Sequence, residues 1–301
     1  MKILLTTNYL DGLGGSETFT YTMAMEFVKQ GHHVHVFSFT RGLVSNKLQT
    51  LMVNSPDNEY DLILVNHNSC LRKINRLRIK EYKIKLGIKG YKIMTCHGIY
   101  HKLEQPIAGA DKYVAISEEV QEHLKKLGFD SIIIRNGIDL DRFAYTHKKK
   151  ITTVIGACHG KEARDKVKRA SNMLGLEYIG IEDKVWTVED IYNAGQVVVG
   201  LGRTALEAMA CGANVIIYDS REYTEWKTCD GLVDLDNVFL IRKHNFSGRY
   251  YKKPVTEIEL AEMIKQYNFD RGLRMKEYIS TEHDISKQVK KYLMLYAGRS
   301  S

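Results

Sequence analysis

One run of the chain carries the residue types and spacing that binding a phosphate ester needs. It is Gly200-Leu201-Gly202-Arg203-Thr204-Ala205-Leu206-Glu207-Ala208-Met209-Ala210-Cys211-Gly212. Apolar Val197-Val198-Val199 precedes it and Val215-Ile216-Ile217 follows it, so the local reading is strand, glycine-bearing turn, short helix, glycine stop, strand. A turn of this kind presents backbone N–H groups at a helix N-terminus, where the partial positive charge favours a phosphate. Gly202, Arg203, Thr204 and Ala205 are the candidates for that cradle. Glu207 has two readings. It stands at capping-box spacing from Thr204. It also suits a carboxylate that accepts hydrogen bonds from ribose hydroxyls while the turn holds the phosphates.

The elements that must position this run read as alternating strands and helices. Lys2 to Thr7 is a buried first strand, and Gly12-Leu13-Gly14-Gly15 leads into a helix with Phe19, Met23, Phe27 and Val28 at helical spacing. Ser16 is the expected N-cap of that helix. The turn lacks the third glycine of a dinucleotide fingerprint at the right offset. Strands follow at Val34-His35-Val36-Phe37, at Tyr60 to Val65 and at Ile93 to Cys96, the last ending in His97. The carboxyl ends of parallel strands are where ligands sit in such folds. His147-Lys148-Lys149-Lys150 reads as a linker, and a second set of elements begins at Ile151. In that half Val238-Phe239-Leu240-Ile241 reads as a strand, and residues 257–267 and 272–296 read as helices.

Composition narrows the class. A chain of 301 residues is long enough for two ordinary domains, and 27% charged with 44% hydrophobic residues is normal for a globular protein. The net charge of +8 suits an anionic partner without choosing among a sugar nucleotide, a membrane surface and a nucleic acid. Nine of the basic residues, Arg72, Lys73, Arg76, Arg78, Lys80, Lys83, Lys85, Lys89 and Lys92, face the single acid Glu81 in one segment. Leu71, Ile74 and Leu77 could share one helix face there. The segment is either a solvated surface or a patch for an anionic acceptor, an anionic membrane more readily than a polynucleotide. The five cysteines are scattered without a C-x-x-C pair, which implies reduced thiols, a cytoplasmic protein and no metal cluster. No signal-peptide pattern and no apolar run near the ~20 residues of a bilayer span occurs.

Leu206-Glu207-Ala208-Met209-Ala210-Cys211-Gly212 with Val215 after it resembles the nucleotide-binding signature of family 4 retaining glycosyltransferases. Gly14-Gly15-Ser16-Glu17-Thr18, the Thr95-Cys96-His97-Gly98 strand end, and Asn136-Gly137-Ile138-Asp139 with Phe143 resemble further segments of that family in the same order. The resemblance implies the α/β GT-B architecture, two facing Rossmann-like domains with parallel sheets. It implies an acceptor-side domain at residues 1–147, a nucleotide-sugar domain at 148–270, and a helix at 271–301 crossing back to the first domain. It assigns the ribose to Glu207, the donor diphosphate loop to Gly14 and Gly15, and the positioning or polarising of the reacting hydroxyl to His97. The family's diphosphate-binding Arg and Lys fall near Gly156 or Ala157 and near Lys161, with Arg164 next, and such cations offset charge on the leaving diphosphate. The family's sugar-contacting Glu is replaced by Val199.

The implied reaction is transfer of a sugar, of hexosyltransferase type, from a nucleotide-diphosphate donor (a UDP-sugar, or else a GDP-sugar) to a glycan, lipid-linked or other hydroxyl, with retention and without a metal. Glycan or glycolipid synthesis is the expected setting, with peripheral contact at the membrane inner face through the segment from Arg72 to Lys92. Three other classes compete: a sugar-nucleotide epimerase, a nucleic-acid-modifying glycosyltransferase, and a degenerate binding module.

Overall fold

The computed structural model describes residues 1–75, 87–145, 150–182, 185–221 and 227–298, with the backbone of 78–79 and 84–85. Two compact units result, one of Met1–Gly137 with Ile285–Ser301, the other of Ile138–Asp284.

The first unit opens with β1 (Lys2–Thr7), α1 (Gly15–Lys29), β2 (His33–Ser38), α2 (Leu43–Lys47), β3 (Glu59–Val65) and α3 (Asn68–Asn75). It continues with β4 (Arg78–Ile79), β5 (Ile84–Lys85), β6 (Lys89–Cys96), β7 (Lys112–Ala115), α4 (Glu118–Lys126) and β8 (Ser131–Ile133). Its sheet runs β2-β1-β3-β6-β7-β8 with every pairing parallel, and β4 and β5 form a separate antiparallel pair. Strands covered on both faces need near-continuous apolar runs, as in Ile3-Leu4-Leu5 and Leu62-Ile63-Leu64-Val65. Leu71, Ile74, Val120 and Leu124 cover Leu4, Ile63, Val65 and Met94.

The basic segment is not one amphipathic helix. Helix α3 stops at Asn75, whose side-chain amide donates to the Gly109 carbonyl at 3.1 Å. Lys89 and Lys92 lie on β6 instead. Leu71, Ile74 and Ile88 are 3% exposed or less, so these three described apolar residues of the segment belong to the core. Leu77, Lys80 to Lys83 and the side chains of Arg76, Arg78 and Lys85 lie outside the described residues.

The second unit holds β9 (Thr153–Gly156), α5 (Lys161–Met173), β10 (Glu177–Gly180), α6 (Val188–Ala194), β11 (Val197–Gly200), α7 (Arg203–Ala210) and β12 (Asn214–Asp219). Then come β13 (Thr228–Leu232), α8 (Val238–Ile241), α9 (Glu257–Lys265) and α10 (Phe269–Glu282). The sheet order is β10-β9-β11-β12-β13, parallel except for β13 on the edge. Strand alternation divides the apolar runs between two layers. Val198, Val215 and Ile217 pack with Leu206, Met209, Met275 and Ile279, while Val197, Val199 and Ile216 pack with Val167, Ala170, Leu260 and Ile264.

Several expectations are corrected here. Residues 238–241 form helix α8 and not a strand, because Val238 and Ile241 are buried three apart while Phe239 between them is 48% exposed. The long C-terminal helix is two helices, α10 and α11 (Ile285–Ala297). It breaks where the His283 carbonyl accepts the Ile138 N–H at 2.7 Å instead of an intrahelical donor. The division between units falls after Gly137 and not after residue 147, because Ile138 and Phe143 already belong to the core of the second sheet. Helix α10 belongs to the second unit, and only α11 belongs to the first. Residues 146–149 of the expected linker lie outside the described residues.

Helix α11 lies beside α1, and its Tyr292 hydroxyl meets Thr95 Oγ1 on β6 at 3.0 Å, both groups buried. Tyr292→Phe keeps the packing and removes this bond. We expect a loss of about 1–2 kcal/mol in urea unfolding, since one buried hydroxyl is left without its partner.

Candidate functional site

The second unit gathers its candidate residues at the carboxyl edge of β9, β11 and β12. Gly156 pairs with Val199, and the Ala157 N–H donates to the Val199 carbonyl at 2.9 Å, so the loops after β9 and β11 leave the sheet side by side. The Ser220 hydroxyl, just past β12, donates to the His159 carbonyl at 2.6 Å and ties in the third loop. Gly160 caps α5 at φ +83° and Gly202 caps α7 at φ +57°, left-handed backbone that glycine tolerates. Two helix N-termini therefore open at one sheet edge.

The first amides of a helix have no intrahelical carbonyl. In α7 these belong to Arg203, Thr204 and Ala205, whereas the Gly202 N–H already donates to the Phe246 carbonyl at 2.7 Å. Gly202 thus shapes the turn, and the cradle of amides begins one residue later. The capping-box reading of Glu207 fails for a related reason. The helix starts at Arg203, which puts Glu207 in the second turn, beyond reach of the cap.

Glu207 is 7% exposed, and its Oε1 accepts from Arg203 Nε at 2.6 Å. Burial pushes its carboxyl pKa up, while the Arg203 guanidinium pulls it down. The field of a second pair also reaches it: Arg142 meets Glu189 at 3.0 Å and stacks on the Trp186 ring at 4.6 Å. Sequence reasoning used residues 136–143 only for the resemblance they carry and did not single out Arg142 or Glu189. No local motif marks them, because they meet across 47 residues of chain.

The cationic candidates differ. Lys161 is exposed at the start of α5. Arg164 is partly buried, donates from Nη1 to the Cys158 carbonyl at 3.3 Å, and has a buried Nε without a hydrogen-bond partner. A side chain at position 156 would require Tyr178 to move, since a Cβ there would lie 2.5 Å from the Tyr178 hydroxyl. Val199 is fully buried in the core.

In the first unit Gly14, and not Ser16, is the N-cap of α1. The Ser16 hydroxyl donates to the Glu17 carboxylate at 3.0 Å. That carboxylate occupies the space where a Gly14 side chain would sit, whereas Gly15 faces open space. A phosphate at Gly14 would meet an anion, so Gly15 is the better loop candidate.

His97 follows β6, half-buried, with its ring edge-on to Phe19 at 4.7 Å. Its Nε2 lies 3.4 Å from Asn66 Oδ1. The Asn66 amide nitrogen donates to Thr20 Oγ1 at 2.8 Å, and the Thr20 hydroxyl donates to the Ser16 carbonyl at 2.7 Å. This chain turns the Asn66 oxygen toward His97 and makes Nε2 the nitrogen that carries the proton. His101 is exposed and lies near His67.

His67, at the end of β3, is 2% exposed, and its Nδ1 accepts the Asn8 N–H at 3.0 Å and lies 3.2 Å from Thr7 Oγ1. Burial lowers its pKa to about 4. The strand-end position was legible in the sequence, but the burial was not. All five cysteines are free and buried, and burial raises each thiol to about 12, which leaves none as a thiolate nucleophile. Among the described residues no three His, Cys, Asp or Glu side chains converge as a metal cage, and no helix is long and apolar enough to cross a membrane.

No protein-family model matches the sequence, and no curated protein matches it. Solved structures do. The chain is similar to a point mutant of S. aureus TarM, in complex with fondaparinux, α-GlcNAc-glycerol and UDP, at 12% identity and TM-score 0.54 over 98% of this chain and 99% of that one. It is similar to Acinetobacter baumannii MurG at 9% identity and TM-score 0.53 over 96% and 99% of the two chains. An α-glucosyltransferase in complex with UDP and a 13-mer DNA containing an HMU base matches at 12% identity and TM-score 0.54 over 99% of each chain. The chain therefore has the GT-B glycosyltransferase fold, with a Rossmann-like sheet in each of its two units, parallel throughout in the first and parallel but for the edge strand β13 in the second.

The depressed pKa of His67 has a consequence for stability. Between pH 6.5 and about 4 the unfolded chain binds a proton at this ring that the folded chain refuses. The neutral ring's contribution is complete above pH 6.5 and lost on acidification to about 4, a change of roughly 3 kcal/mol. Urea unfolding at stepped pH should show a flatter acid limb in His67→Gln than in the wild type over this window.

Proposed function

We propose that the chain is a retaining glycosyltransferase that moves a sugar from a UDP-sugar to an acceptor hydroxyl. The observation that carries the reading is Glu207, a carboxylate 7% exposed one turn behind the amides of Arg203, Thr204 and Ala205. A buried carboxylate suits two vicinal hydroxyls, and the amides with Arg164 and Lys161 suit a diphosphate. UDP is preferred over GDP because the TarM and α-glucosyltransferase complexes contain it. Retention is inferred from the motif resemblance. No protein nucleophile is needed: the amides and cations would offset charge on the leaving diphosphate while the acceptor is held in place. We assign acceptor handling to His97 in the first unit, and loop contact with the donor to Gly15.

A DNA acceptor is the second reading, favoured by the net charge of +8 and by the DNA-bound α-glucosyltransferase. The membrane-surface reading is weaker, because the Leu and Ile of the basic segment that the structure describes are core residues.

Calorimetry with UDP, GDP and ADP tests the donor site. We expect micromolar UDP binding, weakened by about 1–3 kcal/mol in Glu207→Ala and in Glu207→Gln, as for loss of charged hydrogen bonds. A folded wild type that binds no nucleotide would leave a degenerate module as the better account. Where transfer is seen, the anomeric configuration of the product by proton NMR decides retention.

A further inference from the structure

Several polar groups at the carboxyl ends of β1 and β3 are held by hydrogen bonds within the first unit. Asn8 Oδ1 accepts from the Ser69 hydroxyl and from Cys70 Sγ. The Asn68 amide donates to the Lys102 and Gln105 carbonyls at 2.7 and 3.1 Å, and Asn66 is bound to Thr20. His67 differs. A backbone N–H can only donate, so the bond from the Asn8 N–H makes Nδ1 the acceptor of the ring and places the proton on Nε2. No hydrogen bond from that Nε2–H is present among the described residues, and the residue is 2% exposed. The buried ring thus keeps one neutral N–H donor that the described residues do not use.

Two neighbours add to this. The His67 carbonyl accepts the Cys70 N–H at 3.0 Å, so the residue immediately precedes the first turn of α3. Tyr9, 41% exposed, sets its ring at 65° to the imidazole with centroids 6.2 Å apart. An N–H donor beside an exposed aromatic ring suits a sugar, with a hydroxyl oxygen for one and C–H groups for the other.

We propose that His67, with Tyr9, is an acceptor-binding site of the first unit, in which His67 Nε2–H donates to a hydroxyl oxygen of a sugar acceptor. This deepens the transferase reading above and rests on it. A hydroxyl oxygen that accepts a hydrogen bond is a poorer nucleophile, so the oxygen held by His67 orients the acceptor and is not the one that attacks. The neutral ring favours an uncharged hydroxyl over a phosphate.

The test uses the full chain labelled with nitrogen-15 at histidine, with methyl α-D-glucopyranoside as the probe. His67 should show Nε2–H and an unprotonated Nδ1 from about pH 5 to 8. Its Nε2–H signal should move on addition of the glucoside and stay still with inorganic phosphate. With UDP-glucose as donor, His67→Phe should raise the acceptor KM about three- to tenfold, the worth of one hydrogen bond, and leave the UDP Kd unchanged. His67→Gln, which retains an N–H donor, should recover part of the loss. A proton on Nδ1, a signal that ignores the glucoside, or one that answers to phosphate alone overturns the proposal. Turnover with an unchanged KM in His67→Phe overturns it while the transferase reading stands. A wild type that binds no UDP overturns the transferase reading, and the glucoside shift then decides His67 by itself.

Discussion

A carboxylate withdrawn from water has to be held by something, and at Glu207 the holder is a guanidinium one helical turn earlier. Arg203 and Glu207 are both largely buried, and removal of either partner would strand the other in a medium that does not tolerate a lone charge. The two side chains meet because they stand four residues apart on α7, which begins at Arg203 behind Gly202 in its left-handed conformation. Just ahead of the pair, β11 ends at Gly200 and the Phe246 carbonyl accepts the Gly202 N–H. The candidate donor site is thus built around one buried ion pair at the start of α7.

Much of the fold was readable because parallel strands covered on both faces require long apolar runs. Val197-Val198-Val199 and Val215-Ile216-Ile217 announced their sheet directly, and residues 200–212 announced the turn and helix between them. Short elements were harder. Val238-Phe239-Leu240-Ile241 is apolar throughout, and nothing in a four-residue run separates a period of two from a period of three. The break between α10 and α11 depends on a carbonyl captured by Ile138, a contact spanning most of the second unit's sequence.

The candidate site divides along the same line. Glu207, His97 and the glycine turns stand out through local spacing. The Arg142–Glu189 pair, the close approach of Tyr178 to Gly156, and the fixed tautomer of His67 arise from residues distant in the chain that the sheets bring together. Sequence patterns reveal which loops meet at a strand edge. They do not reveal which polar atoms are left over once the loops have satisfied one another.

The chain leaves the first unit after Gly137 and re-enters it at Ile285. On the ribosome, therefore, the amino-terminal unit cannot be completed first. Thr95 waits for Tyr292, and α1 waits for α11, until all of residues 138–284 have been synthesised. The second unit, continuous in sequence, has every one of its own residues available earlier. Shortening the chain from its carboxyl end would accordingly injure the unit that was translated first.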